Sequence, residues 1–296
     1  MQLVNPFESP GEWYKANLHT HTTASDGEAS LEERVRQYRE KGYHVLAITD
    51  HGRTNDVGGF CNADFLALSG METGGIGPNG EDYHLVLLNV PHGFECCDDA
   101  DPNARIRSAK KAGGQVIVAH PYWCGNAVND LLPIQGAIAI EVYNATCTKI
   151  GKGLSSVHWD DLLASGAIIP GVAVDDVHRG RDIFMGWTML KMQSLTVESV
   201  MDALRTGCFY ASCGPVVEDF HIQDGEIRVR CSPAAELHFM AQRSHGCSLY
   251  TDGGEPMTHA EIPLPGNWKY VRVEVVDPRG NRAWTNPLVL REEDTG

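Results

Sequence analysis

Two pairs of potential metal ligands lie far apart in the sequence. His19 and His21 are separated by one residue, and the same spacing separates Asp176 from His178. Because residues two apart in a β-strand point to the same face, each pair has the spacing to hold one cation. This alternation selects Asp176 rather than Asp175 as the partner of His178. Imidazole and carboxylate ligands together favour Zn, Mn or Fe over Ca or Mg.

Further histidines and carboxylates lie near or between these two pairs. Asp26 follows the first pair within Ser25-Asp26-Gly27, and the others stand in the short motifs "ITDH", "GMETG", "DYHLVLL" and "VAHPYW". His51, Glu72 and His120 each fall at the C-terminal end of a predicted strand. His84 instead opens its predicted strand.

The gathering of these residues at strand ends predicts one shared site. Apolar strand-like runs alternate with helical stretches over this part of the chain, as in α/β folds. In a closed α/β barrel all C-terminal strand ends meet at one rim, where such enzymes have their active sites. A lone histidine near a strand end is usually a hydrogen-bonded core or rim residue. The paired spacings and the number of candidates favour a metal site over a set of unrelated core histidines.

Eight strands and four helices are predicted to position these side chains. Ser30, with Glu33 three residues later, resembles a capping box before the first helix, and Gly42 stands at its expected end. The predicted strands are Tyr14–His19, His44–Thr49, Phe65–Met71, His84–Asn89, Gln115–Ala119, Ala137–Val142, Ile168–Val174 and Met185–Leu190. The predicted helices are Ser30–Lys41, Asn103–Ala112, Trp159–Ala164 and Val197–Leu204.

The pattern changes after Gly214-Pro215, where helical periodicity disappears and short alternating runs begin. "YVRVEVVD", Tyr270–Asp277, is a clear period-two strand. Turn signals such as Asp224-Gly225 and Pro265-Gly266 separate the runs. We therefore expect an α/β domain that carries the metal site over residues 1–214. A β-sandwich of about 80 residues is expected over the remainder, residues 215–296.

Composition narrows the possible partners. The 296 residues carry a net charge of −15 from 39 acidic and 24 basic side chains, which argues against binding to a nucleic-acid polymer. Bound divalent cations would reverse the local field, so a small phosphorylated substrate stays compatible with this charge. No apolar run approaches about 20 residues, and no secretory signal opens the chain. Nine scattered cysteines without CxxC spacing indicate reduced thiols, with the cytoplasm as the default location.

The motifs, in this order, resemble the PHP (polymerase and histidinol phosphatase) superfamily of metal-dependent hydrolases. "HTHTTASDG", "YHVLAITDH", "GMET", "VAHP" and "DDVH" stand where that family carries its ligand motifs, over roughly residues 13–210. The resemblance implies a distorted (β/α)7 TIM-like barrel. The later stretches "ALRTGCFYASCGPVV" and "YVRVEVVDPRGNRAWTNPLVL" resemble a branch with an appended β-sandwich, which includes carbaryl hydrolase-like proteins (CehA/McbA).

The resemblance also implies two or three divalent ions (Zn, Mn or Fe), held by nine side chains in three sets. The sets are His19, His21, Glu72 and Asp176 for the first ion, Glu72, His84 and His120 for the second, and Asp26, His51 and His178 for the third. Glu72 would bridge the first two ions. Two cations that share a carboxylate lower the pKa of a bridging water, and the resulting hydroxide would attack phosphorus in line.

Three residues are expected to take part directly in catalysis: Glu72, Asp176 and Arg179. Arg179, with Arg181 nearby, has the chemistry to clamp a phosphate bidentately. The alternative for both arginines is an ordinary solvated loop.

Three functions remain open from the sequence. The leading one is hydrolysis of a small phosphate ester, of the nucleotide or sugar phosphate type. The second is hydrolysis of a carbamate, ester or amide, because the same activated water would attack a carbonyl. The third is a non-catalytic metal-bound regulatory module, with the β-domain as a partner surface. The ligand set does not separate the first two, and the sequence indicates neither the substrate nor the oligomeric state.

Overall fold

The structure is a computed structural model that describes residues 3–78 and 80–290. Its strands form one 14-stranded sheet and one 3-stranded sheet. The strands are β1 (Glu12–Asn17), β2 (Val45–Ile48), β3 (Leu66–Ile76), β4 (Asp82–Leu88), β5 (Gln115–Ala119), β6 (Ala139–Asn144), β7 (Gly171–Val174), β8 (Trp187–Met192), β9 (Phe209–Ser212), β10 (Val217–Gln223), β11 (Glu226–Ala234), β12 (Glu236–Met240), β13 (Gly246–Tyr250), β14 (Met257–Pro263), β15 (Tyr270–Val276), β16 (Arg282–Thr285) and β17 (Leu288–Val289). The α-helices are α1 (Leu31–Glu40), α2 (Pro102–Lys111), α3 (Pro121–Cys124), α4 (Val128–Leu131), α5 (Ser156–Ala164) and α6 (Val197–Thr206).

Strands β1 to β7 follow one another across the large sheet in chain order. β1, β2 and β3 are parallel, and so are β5, β6 and β7. β4 is antiparallel to both of its neighbours. The first residues of β4 therefore lie at the sheet edge where the neighbouring strands end. This edge carries the candidate site.

The segments that follow β1 and β7 meet each other. Thr20 and Val177 form a parallel bridge. The amide of Asp176 donates to the carbonyl of His19 over 2.9 Å, and the amide of His21 donates to that of Val177 over 3.2 Å. These backbone bonds bring the two sequence-distant ligand pairs side by side.

Helix α1 supports the end of β2. The side-chain oxygen of Ser30 accepts from the amide of Glu33, which confirms the predicted N-cap and is worth about 1 kcal/mol. Val35 and Tyr38 of α1 are buried in a cluster with the side chains of β2. Gly42 follows the helix with a φ of 78°, a conformation that favours glycine after a helix C-terminus.

The large sheet continues from β9 into the C-terminal region. β9 pairs with β16, so that Ser212 lies opposite Ala283, and the sheet then runs through β15 and β12 to β13. The separate sheet consists of β10, β11 and β14. One apolar cluster joins the two sheets and includes Phe220 and Val229 from the small sheet and Phe239 from the large one. Because backbone pairing crosses the predicted boundary at residue 214, the two-domain division stays a prediction, as does the sandwich.

Two further sequence expectations concern the whole chain. Within the described residues no helix has the length and apolar character needed to cross a membrane. All nine cysteines are free thiols, and three of them are buried.

Candidate metal centre

All nine predicted ligand residues lie together at one edge of the large sheet, the edge that the first residues of β4 share with the ends of its neighbours. Seven of them line a pocket of about 380 Å³. His19 and His21 are fully buried and contact the pocket-lining carboxylates of Glu72 and Asp176. The seven pocket-lining residues are Asp26, His51, Glu72, His84, His120, Asp176 and His178.

The first group consists of His19, His21, Glu72 and Asp176. The Nε2 atoms of the two histidines lie 3.1 Å apart, and each is 3.2 Å from Glu72 Oε2. Asp176 Oδ1 lies 3.3 Å from Nε2 of His19 and 3.0 Å from Nε2 of His21. Four potential ligand atoms thus face one another inside a buried space, the arrangement that a cation requires.

The second group is built on the other oxygen of the same glutamate. Glu72 Oε1 lies 2.6 Å from His84 Nδ1 and 3.1 Å from His120 Nε2. The two oxygens of Glu72 therefore face different imidazoles. Oε2 lies toward the first group and also 3.1 Å from His51 Nδ1, whereas Oε1 lies toward the second group. A carboxylate with this geometry is placed to bridge two ions.

The third group lies toward solvent. Asp26, whose side chain is 55% exposed, has its carboxylate 3.3 Å from His178 Nε2 and 3.6 Å from His51 Nε2. His21 joins this group through Nδ1, 3.7 Å from Asp26. His178 Nδ1 donates to the carbonyl of Asp176 over 2.8 Å, which leaves its Nε2 free for a ligand. The structure thus adds His21 to the predicted third set.

One local observation indicates that these residues are suited to bind divalent ions. Asp176 Oδ1 is buried, and no donor within the described residues forms a hydrogen bond to it. Buried polar atoms without a partner are rare and call for an explanation, which a bound ion supplies. Asp176 and His120 also have positive φ values of 52° and 24°. Such backbone conformations in residues other than glycine concentrate at functional sites.

The electrostatics of the centre follow from close contact between carboxylates and imidazoles. Burial lowers the pKa of His19, but Asp176, Glu72 and Glu141 outweigh it and hold that pKa well above its usual value. Burial is likewise outweighed at His21, where Asp176 and Glu72 raise the pKa to about 9. Conversely, burial raises the pKa of Glu72 and Asp176, but the neighbouring histidines lower both below the usual range. The carboxylates therefore stay ionised, and a cation would displace protons from the imidazoles.

Comparison with known families agrees with this geometry. Residues 17–113 match the sequence model of the PHP domain, and this span holds six of the nine candidate ligands. Over this span, about a third of its length, the chain is similar to the PHP domain. The family resemblance of the motifs is therefore confirmed, whereas the CehA/McbA-like branch stays a prediction.

Individual relatives of the PHP domain are distant. A two-domain protein of Bacteroides vulgatus ATCC 8482, described as containing a predicted PHP-like metal-dependent phosphoesterase, superposes with a TM-score of 0.52 at 14% identity, covering 97% of this chain and 98% of its own. An amidohydrolase from Chromobacterium violaceum superposes with a TM-score of 0.44 at 17% identity, over 56% of this chain and 89% of its own. The DNA polymerase/3'-5' exonuclease PolX of Bacillus subtilis (strain 168) is 32% identical over 72 residues, which is 24% of this chain and only 13% of that protein.

Glu141, which also lies at the site, was missed by sequence reasoning. It lies in β6 with 1% exposure, and its Oε1 is 2.7 Å from His19 Nδ1. With His19 and His120 it forms a fourth group of potential ligands. The signal was present, because Glu141 is the one charged residue in the apolar run "AIAIEVYN" of a predicted strand.

Asp175 faces away from the ligands, as alternation predicts. Its carboxylate accepts from the hydroxyl of Tyr38 over 2.5 Å and from the backbone amides of residues 184–186 over 2.7, 2.7 and 2.8 Å. Burial raises the pKa of Asp175 to about 6 against the effect of these hydrogen bonds. Asp175 thereby anchors residues 184–186, which follow His178 and the two pocket arginines in the chain.

Three cationic side chains line the pocket: Lys149, Arg179 and Arg181. Arg179 Nη1 donates to the carbonyls of Asp26 and His178 over 3.0 and 3.4 Å. Part of its donor capacity is therefore used to hold the loops of the third group together. No residue of the described chain forms a hydrogen bond or ion pair with the ammonium of Lys149.

Proposed function

We propose that this protein is a divalent-metal-dependent hydrolase that cleaves a small phosphate ester. The observation that carries the proposal is the position of Glu72, whose Oε2 faces His19 and His21 and whose Oε1 faces His84 and His120. A single carboxylate between two imidazole pairs is the arrangement expected of a two-metal site. The PHP domain match supports the same class of chemistry.

Nine side chains would hold two or three ions of Zn, Mn or Fe, in the sets predicted from the sequence. Bound ions would supply a water of lowered pKa and offset the charge of the phosphoryl oxygens. The chain itself excludes water from the ligands and holds them in place, since His19, His21 and Glu72 are 0%, 0% and 1% exposed. We also propose that strands β1 to β7 correspond to the distorted barrel that the family resemblance implies, supported by the Thr20–Val177 bridge.

The pocket supports a small anionic substrate. Its volume of about 380 Å³ lies in the range of sites for small molecules. Lys149 offers an unpaired ammonium, and the guanidinium groups of Arg179 and Arg181 line the same pocket. Trp123, 38% exposed, closes over His84 and His120 with ring centroids 5.5 and 5.1 Å away. Cations gathered in a chain of net charge −15 favour a phosphate over a neutral carbonyl substrate.

A substrate panel tests the proposal. Purified protein supplemented with Mn or Zn is assayed against phosphomonoesters, phosphodiesters, and carboxyl and carbamate esters. We expect turnover of phosphoesters that is lost in the double variant His19→Ala/His21→Ala and kept in the exposed-histidine control His92→Ala/His259→Ala. Turnover of carbonyl substrates alone would overturn the phosphoesterase proposal in favour of an esterase or amidase.

A further inference from the structure

We propose that Glu141 is a positioning residue that orients ligands of two metal sets, an inference that rests on the proposed function. Its carboxylate is buried in the middle of β6 and accepts hydrogen bonds on both oxygens. Through these bonds it reaches His19, His120 and, by way of Asn144, Asp176. No motif of the sequence marks it, and its role follows from its contacts alone.

The first contact determines which ring nitrogen of His19 carries the proton. Glu141 Oε1 lies 2.7 Å from Nδ1 of His19, so an ionised carboxylate requires the ring proton on that nitrogen. In the neutral ring that a metal ligand requires, Nε2 is then the unprotonated nitrogen, and it is directed at Glu72, Asp176 and His21 of the first set. A carboxylate on the far nitrogen of a ligating histidine fixes its tautomer and raises its basicity.

The second oxygen holds backbone and side chain near the other ligands. Glu141 Oε2 accepts from the amide of His120 over 2.8 Å and from Asn144 Nδ2 over 2.9 Å. The first bond stabilises His120 in its unusual conformation with φ of 24°. Asn144 Nδ2 also lies 3.1 Å from Asp176 Oδ2, which leaves Asp176 Oδ1 directed at the two imidazoles of the first set.

Glu141 is better placed to support ligands than to bind an ion itself, although its distance to His19 and His120 would permit a fourth group. Three donors, from His19, His120 and Asn144, occupy its two oxygens. Binding an ion would require those bonds to break in a buried environment, at a cost of about 1–3 kcal/mol for each donor left without a partner.

Glutamine at this position cannot reproduce the pattern. A carboxylate accepts on both oxygens, whereas an amide accepts on one side and donates on the other. In Glu141→Gln the amide NH2 must face either Nδ1–H of His19 or the donors of His120 and Asn144. One orientation favours the wrong tautomer of His19, and the other releases the backbone of His120.

Metal affinity is the readout that tests this role. Zn²⁺ affinity is measured by competition with a chromogenic chelator in wild type, Glu141→Gln, Glu141→Asp and the exposed control Glu198→Gln. We expect Glu141→Gln to lower the binding affinity for one or two ions by about 10–100-fold. Glu141 does not contact the set of Asp26, His51 and His178, so the affinity of that set for its ion should change by less than about threefold. Glu141→Asp keeps two acceptors, so its affinity should fall between wild type and Glu141→Gln.

Several outcomes would overturn the inference. Unchanged affinity in Glu141→Gln, equal affinities in the Asp and Gln variants, or uniform loss of every ion would each contradict a positioning role. If wild type itself binds no Zn²⁺, the proposed function fails first, and the two failures are thus distinguishable. Should Glu141→Gln not fold, ¹⁵N NMR of the wild-type histidine rings in the Zn²⁺-bound form decides the matter, because the inference requires a retained proton on Nδ1 of His19.

Discussion

His84 Nδ1 lies 2.6 Å from Glu72 Oε1 across the antiparallel pair of β3 and β4. His84 stands near the start of β4, whereas His51 and His120 follow the ends of β2 and β5. The reversed direction of β4 removes this contradiction, because its first residues lie beside the last residues of its neighbours. The register places Gly74 directly opposite His84, and the imidazole lies over that glycine.

Gly74→Ala should displace His84. A Cβ at position 74 would lie 2.5 Å from His84 Cδ2 and 2.8 Å from the carbonyl oxygen of Tyr83, both closer than real Cβ contacts. We expect metal affinity in the set of Glu72 and His84 to fall by about tenfold, measured by chelator competition. Gly75→Ala is the matched control, since its Cβ would meet the hydroxyl of Tyr83 at 3.3 Å. Equal affinities for the two variants would contradict the assignment of His84.

Metal affinity should rise with pH. Burial lowers the pKa of His21, but the adjacent carboxylates of Asp176 and Glu72 outweigh it and raise this pKa from 6.5 to about 9 in the metal-free protein. Below that pKa the imidazole carries a proton that an ion must displace, so affinity increases by roughly tenfold per pH unit until about pH 9. Calorimetry at pH 7 in buffers of different ionisation enthalpy should show proton release on binding. A constant affinity between pH 6.5 and 9 would contradict this coupling.

Much of the site was predictable because its ligands stand in local patterns. Spacing of two residues marked His19 with His21 and Asp176 with His178, and strand ends marked His51 and His120. The start of α1 was also predicted, since capping by Ser30 is a local property. In contrast, α5 begins at Ser156 rather than at the predicted Trp159, and the short helices α3 and α4 were not predicted. Gln115–Ala119 was predicted with the bounds that the structure shows.

The rest depended on contacts that sequence patterns do not encode. Glu141 gained its role from His19, 122 residues earlier in the chain. The pairing of β9 with β16 joins residues far apart in the sequence, and neither short strand carries a strong alternation. Strand β13 was likewise missed, because it is a mostly exposed edge strand in which Leu249 packs against the apolar cluster between the two sheets.

Lys149→Ala should weaken substrate binding more than chemistry. The ammonium lines the pocket and has no protein partner within the described residues, so it is free to pair with an anionic group. A charge-assisted hydrogen bond contributes about 1.5–3 kcal/mol, which predicts a KM for phosphoesters at least roughly tenfold higher with kcat little changed. Lys152→Ala is the control, because Lys152 instead lies 5.4 Å from the Tyr122 ring. An unchanged KM in Lys149→Ala would remove Lys149 from the substrate site.

A buried ion pair joins α5 to β15. Arg272 is 0% exposed, donates to Asp160 over 2.9, 2.6 and 2.8 Å, and lies 4.6 Å from the Trp159 ring. Asp160→Asn would leave Glu274, 3.6 Å away, as the remaining counter-charge of this guanidinium, so the free energy of unfolding should fall by about 1.5–3 kcal/mol in urea denaturation. The neighbouring exposed variant Asp161→Asn should change it by less than about 0.5 kcal/mol. Equal stabilities would mean that the pair is not the main link between these elements.

The central claim is that Glu72 bridges two ions, and elemental analysis of wild type beside Glu72→Gln tests it most directly. After reconstitution with Zn or Mn we expect two or three ions per wild-type chain together with phosphoester turnover. Glu72→Gln should lose at least one ion and all turnover, because an amide cannot offer two anionic oxygens to two cations. A wild-type chain that stays metal-free and inactive after reconstitution, or a Glu72→Gln variant with the full metal content, would contradict the account.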